Sequence, residues 1–179
     1  MSYFAVCSLL KVQETVEKHG ASHLLTVLSD EQDVPHPPSI AKRNHKALGF
    51  NDIASPLAGH IMPEEQDVRE IMMFMHEWDQ SAPMCIHCWM GVSRSTASAY
   101  IGVLTLNPGV DEVDLANALR WAAPFATPNP RMIQIADDIM GRSGRMVDAI
   151  KAIGRGANAY EGAPFVFPLD PAKVYPDSD

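Results

Sequence analysis

The sequence is poor in cysteine and in positive charge, and it has no long apolar run. Three cysteines, Cys7, Cys85 and Cys88, cannot form the paired framework of a small secreted domain. Lys and Arg number 14 against 22 Asp and Glu, for a formal net charge of −8. With no basic stripe to balance it, this charge argues against a nucleic-acid partner. No stretch approaches the ~18 apolar residues of a membrane span. The opening MSYFAVCSLLKVQ lacks the cationic region of a secretory signal. A cytoplasmic protein with free thiols is the reading these absences favour.

What is present fits one domain. A chain of 179 residues with 46% hydrophobic and 20% charged residues can bury a substantial core. Its first half alternates: YFAVCSL, SHLLTVLSD, HKALGFNDI and APMCIHC read as strands. Between them lie a short helix closed by Gly20 and a longer helix that Pro63 opens, with acids in its first turn. The second half reads as helices: SRSTASAYIGVLTL, VDEVDLANALRWAAP with Asp111 near its N-cap, NPRMIQIADDIMG with Asn129 as cap, and RMVDAIKAIG. No internal repeat is present. The pattern predicts a three-layer α/β domain with a central, largely parallel sheet of four or five strands flanked by helices. Residues 1–153 would form it. Residues 154–179, rich in Gly and Pro, would be an irregular C-terminal tail.

The chemistry concentrates in 85-CIHCWMGVSRSTAS-98. Ligands of such sheets bind outside the carboxyl ends of strands, where a loop feeds a helix. Cys88 sits there. A loop of Trp89, Met90, Gly91, Val92 and Ser93, tightened around Gly91, can curl its amides inward as an anion nest at a helix N-terminus. That field favours a thiolate at Cys88. Arg94 offers a planar fork for two oxygens of a tetrahedral anion, and Ser95 is placed to hydrogen-bond the sulfur. His87 is a candidate brace for the loop. Nucleophile, cradle and clamp within eight residues, 88 to 95, suit phosphoryl transfer to sulfur.

The run 87-HCWMGVSRS-95 resembles the signature of the cysteine-dependent protein tyrosine phosphatases: histidine, cysteine, five residues, arginine, serine or threonine. Its Gly-Val-Ser-Arg-Ser portion is most similar to the compact dual-specificity branch. The segment 128-PNPRMIQIAD-137 is similar to that branch's proline-asparagine segment and the helix after it. The resemblance is strong over roughly 84–98, weaker over 120–140 and absent after about 150. It implies a phosphatase-like fold and attack of Cys88 on phosphorus, followed by hydrolysis of a cysteinyl-phosphate, with no metal and no cofactor. Arg94 and the loop amides would hold the equatorial oxygens, and Gln134 would orient water. It also implies a general acid some thirty-odd residues before the cysteine. Asp52, at 88 − 52 = 36 positions, is the favoured candidate. Asp30, Asp33 and no acid at all stay open, and Asp67 is read as solvated on a helix.

Other readings compete. Cys85 and Cys88 form a C-x-x-C pair, as in redox or half-zinc sites, but His36, His45, His60 and His76 show no zinc spacing. Cys85 is also a candidate resolving thiol for an oxidised Cys88. Met72, Met73, Met75 and Trp78 read as core on an amphipathic helix. Arg120 and Trp121 could reach toward the site, a surface ion pair or core role being the favoured reading; the arginines of GRSGRM read as solvated ones, a second anion contact there or in GRG being the sharper reading. The function expected is hydrolysis of phosphotyrosine, with phosphoserine and phosphothreonine left open. The alternatives are a phosphate-binding pseudophosphatase module, or a phosphatase of a small phosphoester such as an inositol phosphate. The last would favour lysines in the loop, which has none.

Overall fold

In the computed structural model, residues 2–29 and 33–174 are described. Five strands form one sheet: β1 (Tyr3–Ser8), β2 (His23–Leu28), β3 (His45–Gly49), β4 (Met84–Cys88) and β5 (Phe165–Pro168), ordered β3-β2-β4-β1-β5. The first four run parallel, and β5 lies antiparallel against β1. Six helices flank them: α1 (Val12–His19), α2 (Glu65–Glu77), α3 (Arg94–Leu106), α4 (Glu112–Ala122), α5 (Pro130–Met140) and α6 (Arg145–Ile153). The expected three-layer α/β domain is what the chain forms.

The central strand carries the site. β4 lies between β2 and β1 with all five residues buried, as its apolar run requires of a strand covered on both faces. Alternation along it divides the side chains. Met84 and Ile86 join the large core under α2 to α6, whereas Cys85 joins a smaller one with Cys7, Val12, Val16 and Ile40. α3 follows and is buried from Arg94 to Thr105. Three of its hydroxyls tolerate this because they bond carbonyls one turn back: Thr96 Oγ1 donates to Val92 O, Ser98 Oγ to Arg94 O and Thr105 Oγ1 to Ile101 O. Gly102 lets the helix approach the sheet, since a Cβ there would meet the Phe4 ring at 2.9 Å.

The caps follow the sequence reading. Asp111 Oδ1 accepts from the amides of Val113 and Asp114, and Asn129 Oδ1 from those of Arg131 and Met132. Asp67, expected to be solvated, instead closes a capping box with Glu64 at the start of α2. Burial, the larger influence, raises its pKa against the backbone hydrogen bond.

Three expectations are corrected. Met73 lies on the outer face of α2 and is 58% exposed, so it is not core. Residues after Gly154 are not simply irregular, because they supply β5 and a 3-10 turn at Pro171–Val174. The alternating apolar residues of FVFP let that strand cover the edge of β1. The arginines of GRSGRM are not all solvated: Arg142 is buried and pairs with Glu112 at 2.7 Å, and Arg145 joins at 3.0 Å. Burial works to raise the Glu112 carboxyl, but hydrogen bonds from Arg142 and Arg145 together hold it below its usual range.

Removing Arg142 would leave Glu112 with the largely exposed Arg145 as its remaining cationic partner. Arg142→Ala is expected to cost about 1–3 kcal/mol in urea unfolding at neutral pH, less than for a charge left with no partner. Because the Glu112 pKa is depressed in the fold, the stability it contributes is present above the usual carboxylate pKa and lost as pH falls through the lowered value. The difference between wild type and variant should therefore shrink on acidification.

Candidate active site

β4 ends at Cys88, and the next five residues turn tightly into α3. Gly91 sits at φ +71°, and a Cβ there would lie 2.8 Å from Ser8 N and 2.9 Å from Cys7 C. Only glycine fits this contact with the end of β1.

Three carbonyls of the turn are taken by amides from three other segments. Leu9 N–H donates to Trp89 O (3.1 Å), Gly162 N–H to Met90 O (2.8 Å) and Thr127 N–H to Val92 O (2.9 Å). In a planar trans peptide the C=O and the following N–H point in opposite directions. Anchoring those carbonyls outward therefore turns the amides of Met90, Gly91 and Ser93 inward. None of the amides from 89 to 93 donates to an acceptor among the described residues. The result is a cradle of donors at the start of a thirteen-residue helix.

The charged and nucleophilic groups sit within this frame. Cys88 is 2% exposed, and its Sγ lies 3.1 Å from Ser95 Oγ. Arg94 is 5% exposed and donates through Nη1 to Phe50 O at 2.6 Å. Phe50 is itself fixed by its amide to Leu28 O. The buried Nε of Arg94 has no acceptor among the described residues, so a donor of the fork remains available for an oxyanion.

Asp52 comes to the rim of the same loop. Its Oδ1 accepts from Ser93 Oγ (2.7 Å) and from Asn129 Nδ2 (2.8 Å). Asn129 thus caps α5 and positions Asp52 with the two ends of one amide. Oδ2 has no hydrogen bond among the described residues, which leaves it able to carry a proton. The segment bearing Asp52 is closed at its base: Asn51 N–H donates to Ile61 O, and Ile61 N–H to Asn51 Oδ1.

Of the other sequence candidates, His87 braces the sheet rather than the loop. Its Nε2 meets Thr26 Oγ1 at 2.8 Å, that oxygen meets His45 Nε2 at 2.9 Å, and His45 Nδ1 meets His36 Nδ1 at 2.8 Å. Burial lowers both His87 and His45 to about 4, keeping them neutral. Gln134 is exposed on α5 and bonds Asp138, away from the group around Cys88. Asp33 is exposed and does not line the cleft beside the loop, while Asp30 lies outside the described residues. Cys85 points to the opposite face of β4 from Cys88 and lies 3.8 Å from Cys7 Sγ, so it cannot resolve an oxidised Cys88 in this fold. No cluster of three His, Cys, Asp or Glu side chains suited to a metal occurs among the described residues.

Sequence reasoning missed what surrounds the loop. A cleft of ≈ 380 Å³ adjoins it, lined by Asp52, Ser93 and Asn129 and also by Arg155, Ala157 and Asn158. The last three belong to the segment after α6. Its glycines carry the signal: a Cβ on Gly156 would meet Phe125 C at 2.4 Å, and one on Gly162 would meet Gly91 O at 2.8 Å. Arg120, neither a site residue nor a surface ion pair, holds this region together by donating to Pro124 O, Ala126 O and Gly154 O.

The architecture has known counterparts. DUSP15 matches with a TM-score of 0.62 at 17% identity, over 85% of this chain and 94% of that one. The fold is that of the compact dual-specificity phosphatases. Human DUSP28 gives 0.56 at 19% identity, covering 83% of this chain and 94% of that chain. Tk-PTP in its active form gives 0.52 at 17%, covering 79% and 92%. No protein-family model and no curated protein matches the sequence. At identities this low the structural likeness shows the fold alone, and the chemistry must be argued from the residues.

Gly91→Ala should cost more than about 1 kcal/mol, because the left-handed backbone and the contact with β1 both oppose a side chain. The same variant should lose phosphate or vanadate binding, measured calorimetrically. Buried His87 and half-buried His45 add a pH dependence. Their pKa values fall from 6.5 unfolded to about 4 folded. Between those limits the unfolded chain binds more protons, so stability should rise with pH across the window. Replacing His45 with Gln should flatten that slope in thermal melts.

Proposed function

We propose that this protein is a cysteine-dependent phosphatase that hydrolyses phosphotyrosine, with phosphoserine and phosphothreonine as possible further substrates, by way of a cysteinyl-phosphate. The observation that carries this reading is the cradle itself. Inward amides, a buried guanidinium held by Phe50 O and a sulfur 3.1 Å from a serine hydroxyl surround one tetrahedral anion site. The fold it shares with dual-specificity phosphatases supports the same conclusion.

In the first step the Cys88 thiolate attacks phosphorus, the S–P bond forms and the ester P–O bond breaks. Charge on the equatorial oxygens is met by the loop amides and Arg94. Asp52 delivers its proton to the departing oxygen. Ser95 steadies the sulfur, first as nucleophile and then as leaving group. In the second step Asp52, now ionised, takes a proton from water as that water attacks phosphorus. The S–P bond breaks and inorganic phosphate leaves. Ser93 and Asn129 hold one carboxylate oxygen of Asp52, so the other faces both proton transfers from a fixed position.

Wild type, Cys88→Ser and Asp52→Asn should be compared on para-nitrophenyl phosphate and on a phosphotyrosyl peptide. The serine variant is expected to lose turnover and still bind phosphopeptide. The asparagine variant should slow poor leaving groups by about 10²-fold or more and good ones least, and lose the alkaline limb of the pH–rate profile. Equal losses on both esters would remove Asp52 from the acid role. Wild type that binds but never turns over would mark a phosphate-binding module instead.

A further inference from the structure

Resting on that reading, we infer that Arg155, on the segment joining α6 to β5, is a specificity-determining residue that receives an acidic side chain flanking the phosphotyrosine of a peptide substrate. The segment is built rather than draped. Its backbone is fixed where Arg120 Nη2 donates to Gly154 O (2.8 Å), Gly156 N–H to Thr127 Oγ1 (3.2 Å), Ala157 N–H to Pro124 O (2.9 Å) and Gly162 N–H to Met90 O (2.8 Å). Ser8 Oγ donates to Glu161 at its far end. Two of these contacts join it to the structure that shapes the cradle, so its position is set relative to the scissile phosphoryl.

Arg155 lines the same cleft as Asp52, Ser93 and Asn129 and is the sole cation on its lining. It is exposed, and no described residue pairs with it. In a chain of net charge −8, an unpaired guanidinium on a cleft that adjoins the loop at Val92 and Ser93 is a local exception. An anion held beside the phosphoryl group would find a planar two-donor fork there. The cleft favours a peptide over a polyphosphorylated small molecule. One cation suffices for a carboxylate, whereas several phosphates need several. The other shoulder of the loop is mostly apolar, with Trp89 45%, Leu10 82% and Tyr160 91% exposed around a ≈ 130 Å³ hollow that Glu161 also lines. That surface suits neighbouring side chains of a peptide.

The test uses phosphotyrosyl peptides whose flanking residues are neutral except for one Glu, moved through each of three positions on either side, with Gln and Lys counterparts. The readout is the ratio of kcat/KM for Glu over Gln peptides in wild type, Arg155→Ala and Arg155→Glu. Wild type should favour Glu at one position by about tenfold, mainly through KM, as one charge-assisted hydrogen bond would give. Arg155→Ala should bring the ratio near one, and Arg155→Glu should invert it in favour of a Lys peptide. A merely structural role would lower both rates and leave the ratio intact, which overturns the inference. So would a wild type indifferent to Glu at every position. Preference for a bisphosphorylated small ester over every peptide, lost in Arg155→Ala, would overturn the peptide assignment. Turnover of para-nitrophenyl phosphate by wild type reads the phosphatase assignment separately. Should it fail, the same ratio taken from peptide binding by fluorescence anisotropy still tests Arg155.

Discussion

The site depends on where three carbonyl oxygens go. A five-residue turn cannot by itself keep its amides pointing at one centre, because a peptide plane is free to flip when neither end is held. Here Leu9, Gly162 and Thr127 each capture one carbonyl from outside the turn. The captured planes present N–H groups inward with their orientation already fixed. Donors fixed in advance stabilise a developing charge without reorganising during the reaction. The partners come from the end of β1, from the segment before β5 and from the loop before α5. The cradle is therefore a property of the whole sheet edge, not of the motif alone.

The motif was legible because its chemistry is local. Cys88, Gly91, Arg94 and Ser95 lie within eight positions, 88 to 95, and each residue type has a physical reason to be there. The sheet was legible for a related reason: buried parallel strands read as short apolar runs, and MCIHC between helices has few other interpretations. The caps at Asp111 and Asn129 follow from residue type and position. Asn129 also reaches Asp52 across 77 positions, and nothing in sequence spacing announces that bond.

What escaped the sequence is long-range or depends on a face. Met73 looks like core in a run of methionines, yet its position on the helix turns it outward. Cys85 looks like a partner for Cys88 until the strand is recognised as continuous through both, which puts them on opposite faces. The stretch after Gly154 looks irregular because its Gly and Pro content defeats periodicity. Its glycines are instead demanded by contact, with Phe125 at Gly156 and with Gly91 at Gly162. Composition alone cannot separate a glycine that frees the chain from one that lets another backbone approach.

The C-terminal stretch also explains how the loop and the sheet edge support each other. β5 pairs with β1 through Phe165–Pro168 and covers what would otherwise be an exposed edge. The chain reaches that edge only by passing the loop, where Gly162 gives its amide to Met90 O. β1 in turn meets Gly91 at Ser8, and Leu9, the next residue, holds Trp89 O. The loop is thus gripped between β1 and a segment that β1 itself anchors. Ordering one grip reduces the entropy cost of the other, because both constrain the same few peptide planes. A segment with that duty cannot drift far, so the backbone from which any side chain reaches toward the cleft is fixed relative to the loop. Recognition elements placed there gain precision from the same contacts that shape the cradle.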